Sequence, residues 1–167
     1  MGSVTKADID RLVDGTTVAR EFVDTVARCA DSTALRWMQL DGTLGSVSFA
    51  EFGDRAARAA TGLRSLGVQP GDRVVLMMRN IPAFHVVDMA AYFLGATPIS
   101  IYNSSSPDQM LHLFGNAGNR VVITEQAFLE RILAVRKQRA LRVGIDHDLL
   151  RDVGDALVID GNDRNPV

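Results

Sequence analysis

Between Thr17 and Ala30 the apolar residues Val18, Phe22, Val23 and Val26 fall on one helical face, with Arg20, Asp24 and Arg28 elsewhere, and predict an amphipathic surface helix. Two short segments, 34–40 and 44–49, flank Asp41-Gly42, whose tolerance of positive φ favours a tight reversal, so a β-hairpin is expected there. Ser48 and Glu51 form an S-x-x-E capping box, and Val47 can staple against Phe52, which starts a helix at Phe49. Along it Phe52, Ala56, Ala60 and Leu63 recur at helical spacing while Arg55, Arg58 and Arg64 face water. Gly67 supplies a left-handed cap, and Pro70-Gly71-Asp72 turns the chain.

Residues 73–78 are almost continuously apolar, the pattern of a parallel strand covered by helices on both faces. Asn80 is read as the cap of the next helix, with Pro82 in its first turn and Gly95 as its stop before a strand over 97–101. Ser106, Pro107 and Gln109 open a further helix to about Ala117, followed by Gly118-Asn119 and an apolar strand over 120–124. Strand onsets at Arg73, Thr97 and Arg120, separated by helices, predict an α/β fold: a doubly wound, mostly parallel sheet with flanking helices and an N-terminal β-hairpin. A helix over 126–138 follows, with Phe128, Leu129, Ile132 and Leu133 apolar. Residues 142–155 show no clean period, and only 156–159 resembles one more buried strand. The chain therefore divides into an N-terminal extension (1–16), an organised α/β unit (17–136) and an irregular tail (137–167) that stops mid-architecture.

With 167 residues and 47% hydrophobic content, the chain fits one domain with a real core. Eighteen Lys plus Arg against 20 Asp plus Glu give a net charge of -2 with the signs interspersed, which supplies no basic stripe for nucleic acid. The single cysteine, Cys29, has no internal disulfide partner and suits a reducing, cytoplasmic setting. The first 14 residues carry Asp8, Asp10 and Asp14 and lack a signal-peptide apolar core. Arg79 and Asp88 interrupt the strongest apolar region, so there is no transmembrane segment and any membrane contact would be peripheral.

An open parallel sheet binds ligands beyond the carboxyl ends of its strands. That rule selects Arg79, Asn80, Tyr102, Asn103, Ser104 and Ser105, together with Glu125, as candidate lining residues. The serines precede a helix N-terminus that could hold an anion, although Asn and Ser also serve simply as turn and cap residues. His85, His112 and His147 form no i, i+4 metal pair and have no orienting partner in a nearby motif. Neither G-x-G-x-x-G, a P-loop nor G-x-S-x-G occurs, and the lysines, Lys6 and Lys137, follow no glycine-rich loop. No catalytic or metal-binding residue is assigned.

Three strings, Val47 to Phe52, Leu66 to Val74 and Leu94 to Pro98, resemble in order and spacing the opening of AMP-forming acyl-CoA synthetases of the adenylate-forming superfamily. Met77 to His85 and Ile99 to Pro107 are similar to the long-chain fatty acid–CoA ligase branch. The resemblance covers about residues 17–136 and departs from the usual spacing over 138–155. It implies that the intact enzyme takes a fatty acid, ATP with Mg²⁺, and CoA, and forms acyl-CoA, AMP and pyrophosphate through an acyl-adenylate. The family's phosphate loop, its adenine and magnesium motifs and its C-terminal lysine have no counterpart here. The expectation is thus an N-terminal fragment, inactive alone, whose exposed sheet edge favours self-association. The rival expectation is a self-contained, non-catalytic α/β binding or interaction module.

Overall fold

Five of the six α-helices among the described residues begin where a short polar side chain satisfies the first unpaired amides or where proline removes one. The computed structural model describes residues 4–39, 41–136, 138 and 141–145. Thr5 caps α1 (Lys6–Val13) in a reciprocal capping box with Asp8. Thr17 caps α2 (Val18–Cys29), accepting from the Arg20 amide. The hairpin β1 (Thr33–Met38) and β2 (Leu44–Ser48) is antiparallel, and Asp41 Oδ1 accepts from both the amide and the hydroxyl of Thr43 across its turn. Ser48 and Glu51 box the start of α3 (Phe49–Ser65). Gly67 at φ +81° then lets its amide and that of Val68 reach the carbonyls of Arg64 and Leu63.

The chain continues through β3 (Arg73–Met77), α4 (Pro82–Phe93), β4 (Thr97–Ser100), α5 (Pro107–Ala117) and β5 (Val121–Thr124). A 3₁₀ turn over Gln126–Phe128 leads into α6 (Leu129–Arg136) and then β6 (Arg142–Ile145). All four central strands are parallel, in the order β4-β3-β5-β6. Because successive side chains on a strand face opposite sides, the sheet has two cores. Val74, Leu76, Val121 and Ile123 pack under α3 and α4, where Phe22 of α2 meets Phe52 edge-on at 4.8 Å. Val75, Met77, Val122 and Val143 pack against Met110 and Phe114 of α5 and Ile132 and Val135 of α6. Helices thus cover both faces, as the doubly wound expectation required.

Several local expectations are corrected. Val18 and Val23 are exposed, because α2 turns Phe22 and Val26 inward toward α3 instead. Residues 6–13, to which no element was assigned, form α1, whose capping box and Lys6–Asp10 and Arg11–Asp8 pairs hold it although none of its residues is buried. The stretch from Arg142, read as lacking periodicity, opens with β6, a strand too short to show a period. The helix expected over 126–138 begins as a 3₁₀ turn and ends at Arg136. The strand-like segment 156–159 and the Asp146-His147-Asp148 string lie outside the described residues.

The margin of the sheet at β4 is chemically marked. Thr97 and Ile101 donate their amides to Asp72 and Leu76 on the β3 side, so the intervening Pro98 faces outward, where it has no N–H to offer. That margin is a poor template for an added strand.

In the hairpin the Trp37 indole lies over Gly45, its cross-strand partner, and a Cβ at Gly45 would fall 2.4 Å from the Trp37 ring. Gly45→Ala is expected to displace the indole and cost about 1–2 kcal/mol. Because Trp37 is the only tryptophan, urea unfolding followed by fluorescence reads both effects. An unchanged midpoint with unchanged emission would contradict the close approach.

Candidate functional site

The connections leaving β3 and β5 diverge to opposite faces of the sheet, since α4 lies in one core and α6 in the other. Such a divergence between adjacent strands opens a crevice at their carboxyl ends. Here a pair of charges fills it. The Glu125 carboxylate accepts from the backbone amide of Arg79, from its Nε at 2.7 Å and from its Nη2. Only 4% of the Glu125 side chain is exposed, against 64% for Arg79, so the guanidinium sits as a lid over a buried acceptor. Beneath it the Thr124 hydroxyl donates to the Met77 carbonyl at 2.9 Å, tying the same two strands together.

With the switch point plugged, the open space lies one strand over, between β3 and β4. A cleft of about 380 Å³ is lined by Met78, Asn80, Phe84, Ser100, Ile101, Tyr102 and Asn103. A second, of about 540 Å³, is lined by Tyr102, Ser104, Ser105, Asp108, Gln109, His112 and Leu113. Tyr102 borders both and is 84% exposed. Of the sequence-selected residues, Asn80, Tyr102 and Asn103 share the first cleft, while Tyr102, Ser104 and Ser105 share the second. Arg79 borders neither and is turned to Glu125.

Two assignments change. Asn80 does not cap α4: Ile81 occupies the cap position without a side-chain bond, and the Asn80 amide oxygen instead accepts from His85 Nε2 at 3.1 Å. His85 therefore has the orienting partner that no motif had announced, and its ring also meets Phe84 edge-on at 5.4 Å. His112 is similarly held, by Asn116 one turn later at 3.1 Å. Asp88, half-buried one turn beyond His85, has its carboxyl pushed above the ordinary range by loss of hydration, with the nearby imidazole opposing that shift. Ser106 and Gln109 use the first amides of α5 in a capping box, so that helix start serves its own termination.

The loop between β4 and α5 is fixed from outside, since Arg131 of α6 donates to the Asn103 carbonyl and the Ser105 amide donates to the Tyr102 carbonyl at 3.0 Å. The Asn103 side chain is different: its Oδ1 is buried without a hydrogen-bond partner. Sequence reasoning missed Met78, Phe84, Ser100 and Ile101 as cleft walls, because apolar or strand-borne residues read as core. It placed Glu125 at the right end of the sheet with no signal that Arg79, 46 positions earlier, was its partner.

Residues 22–164 match the AMP-binding enzyme family. The uncharacterized protein Rv1549 of Mycobacterium tuberculosis is 36% identical over 132 residues, covering 79% of this chain and 70% of the relative. The 4-coumarate–CoA ligase 3 of Oryza sativa subsp. japonica is 31% identical over 152 residues, 86% of this chain but 27% of the ligase. The long-chain-fatty-acid–CoA ligase FadD15 of Mycobacterium bovis is 39% identical over 71 residues, 42% of this chain and 12% of the ligase. Among solved structures, the O-succinylbenzoate coenzyme A synthetase of Bacillus subtilis with AMP superposes with a TM-score of 0.68 at 16% identity, over 82% of this chain and 34% of that one.

Two measurements follow from this geometry. Glu125→Gln keeps an acceptor for the Arg79 amide but removes the charge, and is expected to cost about 1–2 kcal/mol in urea unfolding, the exposure of Arg79 limiting the loss. Equal stability would show that the pair does not hold the strands. Asp88→Asn is expected to raise the unfolding midpoint at pH 7. Folding favours the protonated form of Asp88, so its stabilising effect is full below the ordinary value of 3.8 and is lost as pH rises through the raised one. The gain from Asp88→Asn should therefore disappear on acidification through that window; a pH-independent gain would assign it to something other than titration.

Proposed function

The chain belongs to the AMP-binding enzyme family, and on that premise we propose that its 167 residues are the N-terminal portion of an acyl-CoA ligase specific for a long-chain fatty acid. The intact ligase joins the fatty acid to CoA at the expense of ATP, through an acyl-adenylate. The fatty acid preference is supported by the strings Met77 to His85 and Ile99 to Pro107 and by the 39% identity to the long-chain ligase. The observation that carries the reading is the placement of those same strings: both cross the carboxyl edge of the parallel sheet, from strand end to helix start, and together they line the 380 Å³ cleft.

The groups such a reaction uses fit this part of the fold unequally. Adenylation needs the triphosphate neutralised and the attacking carboxylate aligned on the α-phosphate. The two clefts are lined by neutral side chains apart from Asp108 and the imidazole of His112, which offers no cradle for phosphates. Among the described residues no three His, Cys, Asp or Glu side chains come together, and the buried carboxylate of Glu125 is engaged by Arg79. ATP and Mg²⁺ do not fit here, and no step is derived through them. What these residues contribute is a rigid wall, held by Arg79–Glu125 on one side and Arg131–Asn103 on the other. No helix among the described residues is long and apolar enough to cross a membrane.

The second reading is a stand-alone binding or interaction module. It is favoured by one observation, that this chain matches 70% of the length of Rv1549, a relative of similar extent.

The purified chain with ATP, Mg²⁺, CoA and palmitate is expected to release no pyrophosphate above background, with a full-length ligase of the family as the positive control. Fatty-acid-dependent release would refute the assignment of catalysis to parts of the fold outside these clefts.

A further inference from the structure

Helix α1 is specified at both ends yet has no packing role inside the molecule. Thr5 and Asp8 box its start, and the amide and hydroxyl of Thr16 donate to the Val13 carbonyl at its end. None of its residues is buried, and among the described residues none of them packs against either core. A helix of eight residues is marginal in water on its own and persists through the packing of an apolar face. Ile9, Leu12 and Val13 supply that face: they recur at i, i+3 and i+4 and are 50%, 75% and 56% exposed. The match to the AMP-binding enzyme family begins at residue 22, so α1 lies outside the part of the chain that the family describes.

The charges beside the stripe indicate what covers it. Helical spacing places Lys6 and Asp10, paired with each other, along one flank, and Asp8 and Arg11, also paired, along the other. Each flank therefore carries one cation and one carboxylate. When a second copy of α1 lies antiparallel on the stripe about a two-fold axis, each flank meets its own reverse. Lys6 then faces Asp10 of the second copy and Asp8 faces its Arg11, each pair occurring twice, and the helix macrodipoles oppose. A lipid surface is matched less well. Three carboxylates, Asp8, Asp10 and Asp14, accompany two cations, Lys6 and Arg11, whereas an interfacial helix is rich in Lys and Arg on its polar face.

We propose that α1 is a self-association element, through which two copies of this chain pair by an antiparallel contact of Ile9, Leu12 and Val13, flanked by Lys6–Asp10 and Asp8–Arg11 pairs between copies. A helix of this length spans about 12 Å, and such a contact falls well short of the roughly 1,200 Å² of a stable interface, so the dimer forms only as concentration rises. The proposal is independent of the ligase reading, since α1 borders neither cleft and the readout is mass rather than turnover.

Sedimentation equilibrium of the 167-residue chain tests it. The weight-average mass is expected to rise from monomer toward dimer with a dissociation constant of about 0.1–1 mM, and the amide signals of residues 6–13 should shift over the same range. Leu12→Gln keeps the helix propensity and removes apolar contact from both copies, so it should weaken association about tenfold. Its melting temperature in dilute solution should be unchanged, because Leu12 packs against no core. Lys6→Glu and Asp10→Lys each make one flank uniform in sign, and neither touches the capping box. Each alone should weaken association severalfold, and an equimolar mixture of the two should restore it, because each altered flank then meets its complement. A parallel pair, or a contact held by the apolar stripe alone, would not recover on mixing.

A mass that stays monomeric to about 1 mM, association undiminished by Leu12→Gln, or a mixture that fails to recover would overturn the proposal. Cosedimentation with phosphatidylcholine–phosphatidylglycerol vesicles supplies the remaining arm: binding that depends on Leu12, by a chain that stays monomeric in solution, assigns the stripe to a lipid surface and also overturns it. None of these results alters the ligase reading, which pyrophosphate release decides.

Discussion

The carboxyl edge of the sheet is organised by one carboxylate. Glu125 is buried where two neighbouring parallel strands send their chains to opposite faces, and a charge in that position persists only if it is fully engaged. Arg79 engages it with backbone and side chain together, which fixes the exit direction of β3 and hence the first turn of α4. The cleft walls at Met78, Asn80 and Phe84 follow from that exit. The pair also determines where ligands are excluded: the crevice that open α/β sheets ordinarily offer is occupied by protein, and free volume appears beside the edge strand instead.

This arrangement accounts for a family fold whose clefts, among the described residues, carry few charged groups. The family's fold is present over most of the chain, yet its polar groups are spent on holding loops: Arg131 on the Asn103 carbonyl, Asn80 on His85, Ser106 and Gln109 on the start of α5. What remains is a wall of neutral side chains apart from Asp108 and the imidazole of His112. Such a wall offers no cluster of cations for a triphosphate.

Much of this fold was legible in the sequence because its signals are local. The capping boxes at Ser48 and Ser106, the left-handed glycine at 67 and the apolar runs of β3 and β5 act within a few residues of themselves, and the structure uses them as read. The exposed Val18 and Val23 failed that test because the choice of buried stripe on α2 depends on where α3 and α4 lie. Strand β6 failed it because four residues carry too little pattern. At the site, the strand-end rule brought forward Tyr102 and Asn103, but pairings across 28 or 46 residues, such as Arg131 with Asn103 and Arg79 with Glu125, leave no trace in local composition. Asn80 was misread for a different reason: it is a good cap by chemistry, but its side chain turns to His85, five positions on.

Pro98 has a consequence for the order in which the sheet assembles during synthesis. When β3 and β4 have emerged from the ribosome and β5 has not, their two-stranded ribbon presents two bare margins to the nascent chain and to its neighbours. The missing donor at Pro98 makes one of those margins unrewarding, and β5 on its arrival finds the other, along β3, the better partner. A single imino acid at an edge thereby biases the growing ribbon toward the spatial order β4-β3-β5, and spares it the competing order in which each new strand simply joins the last.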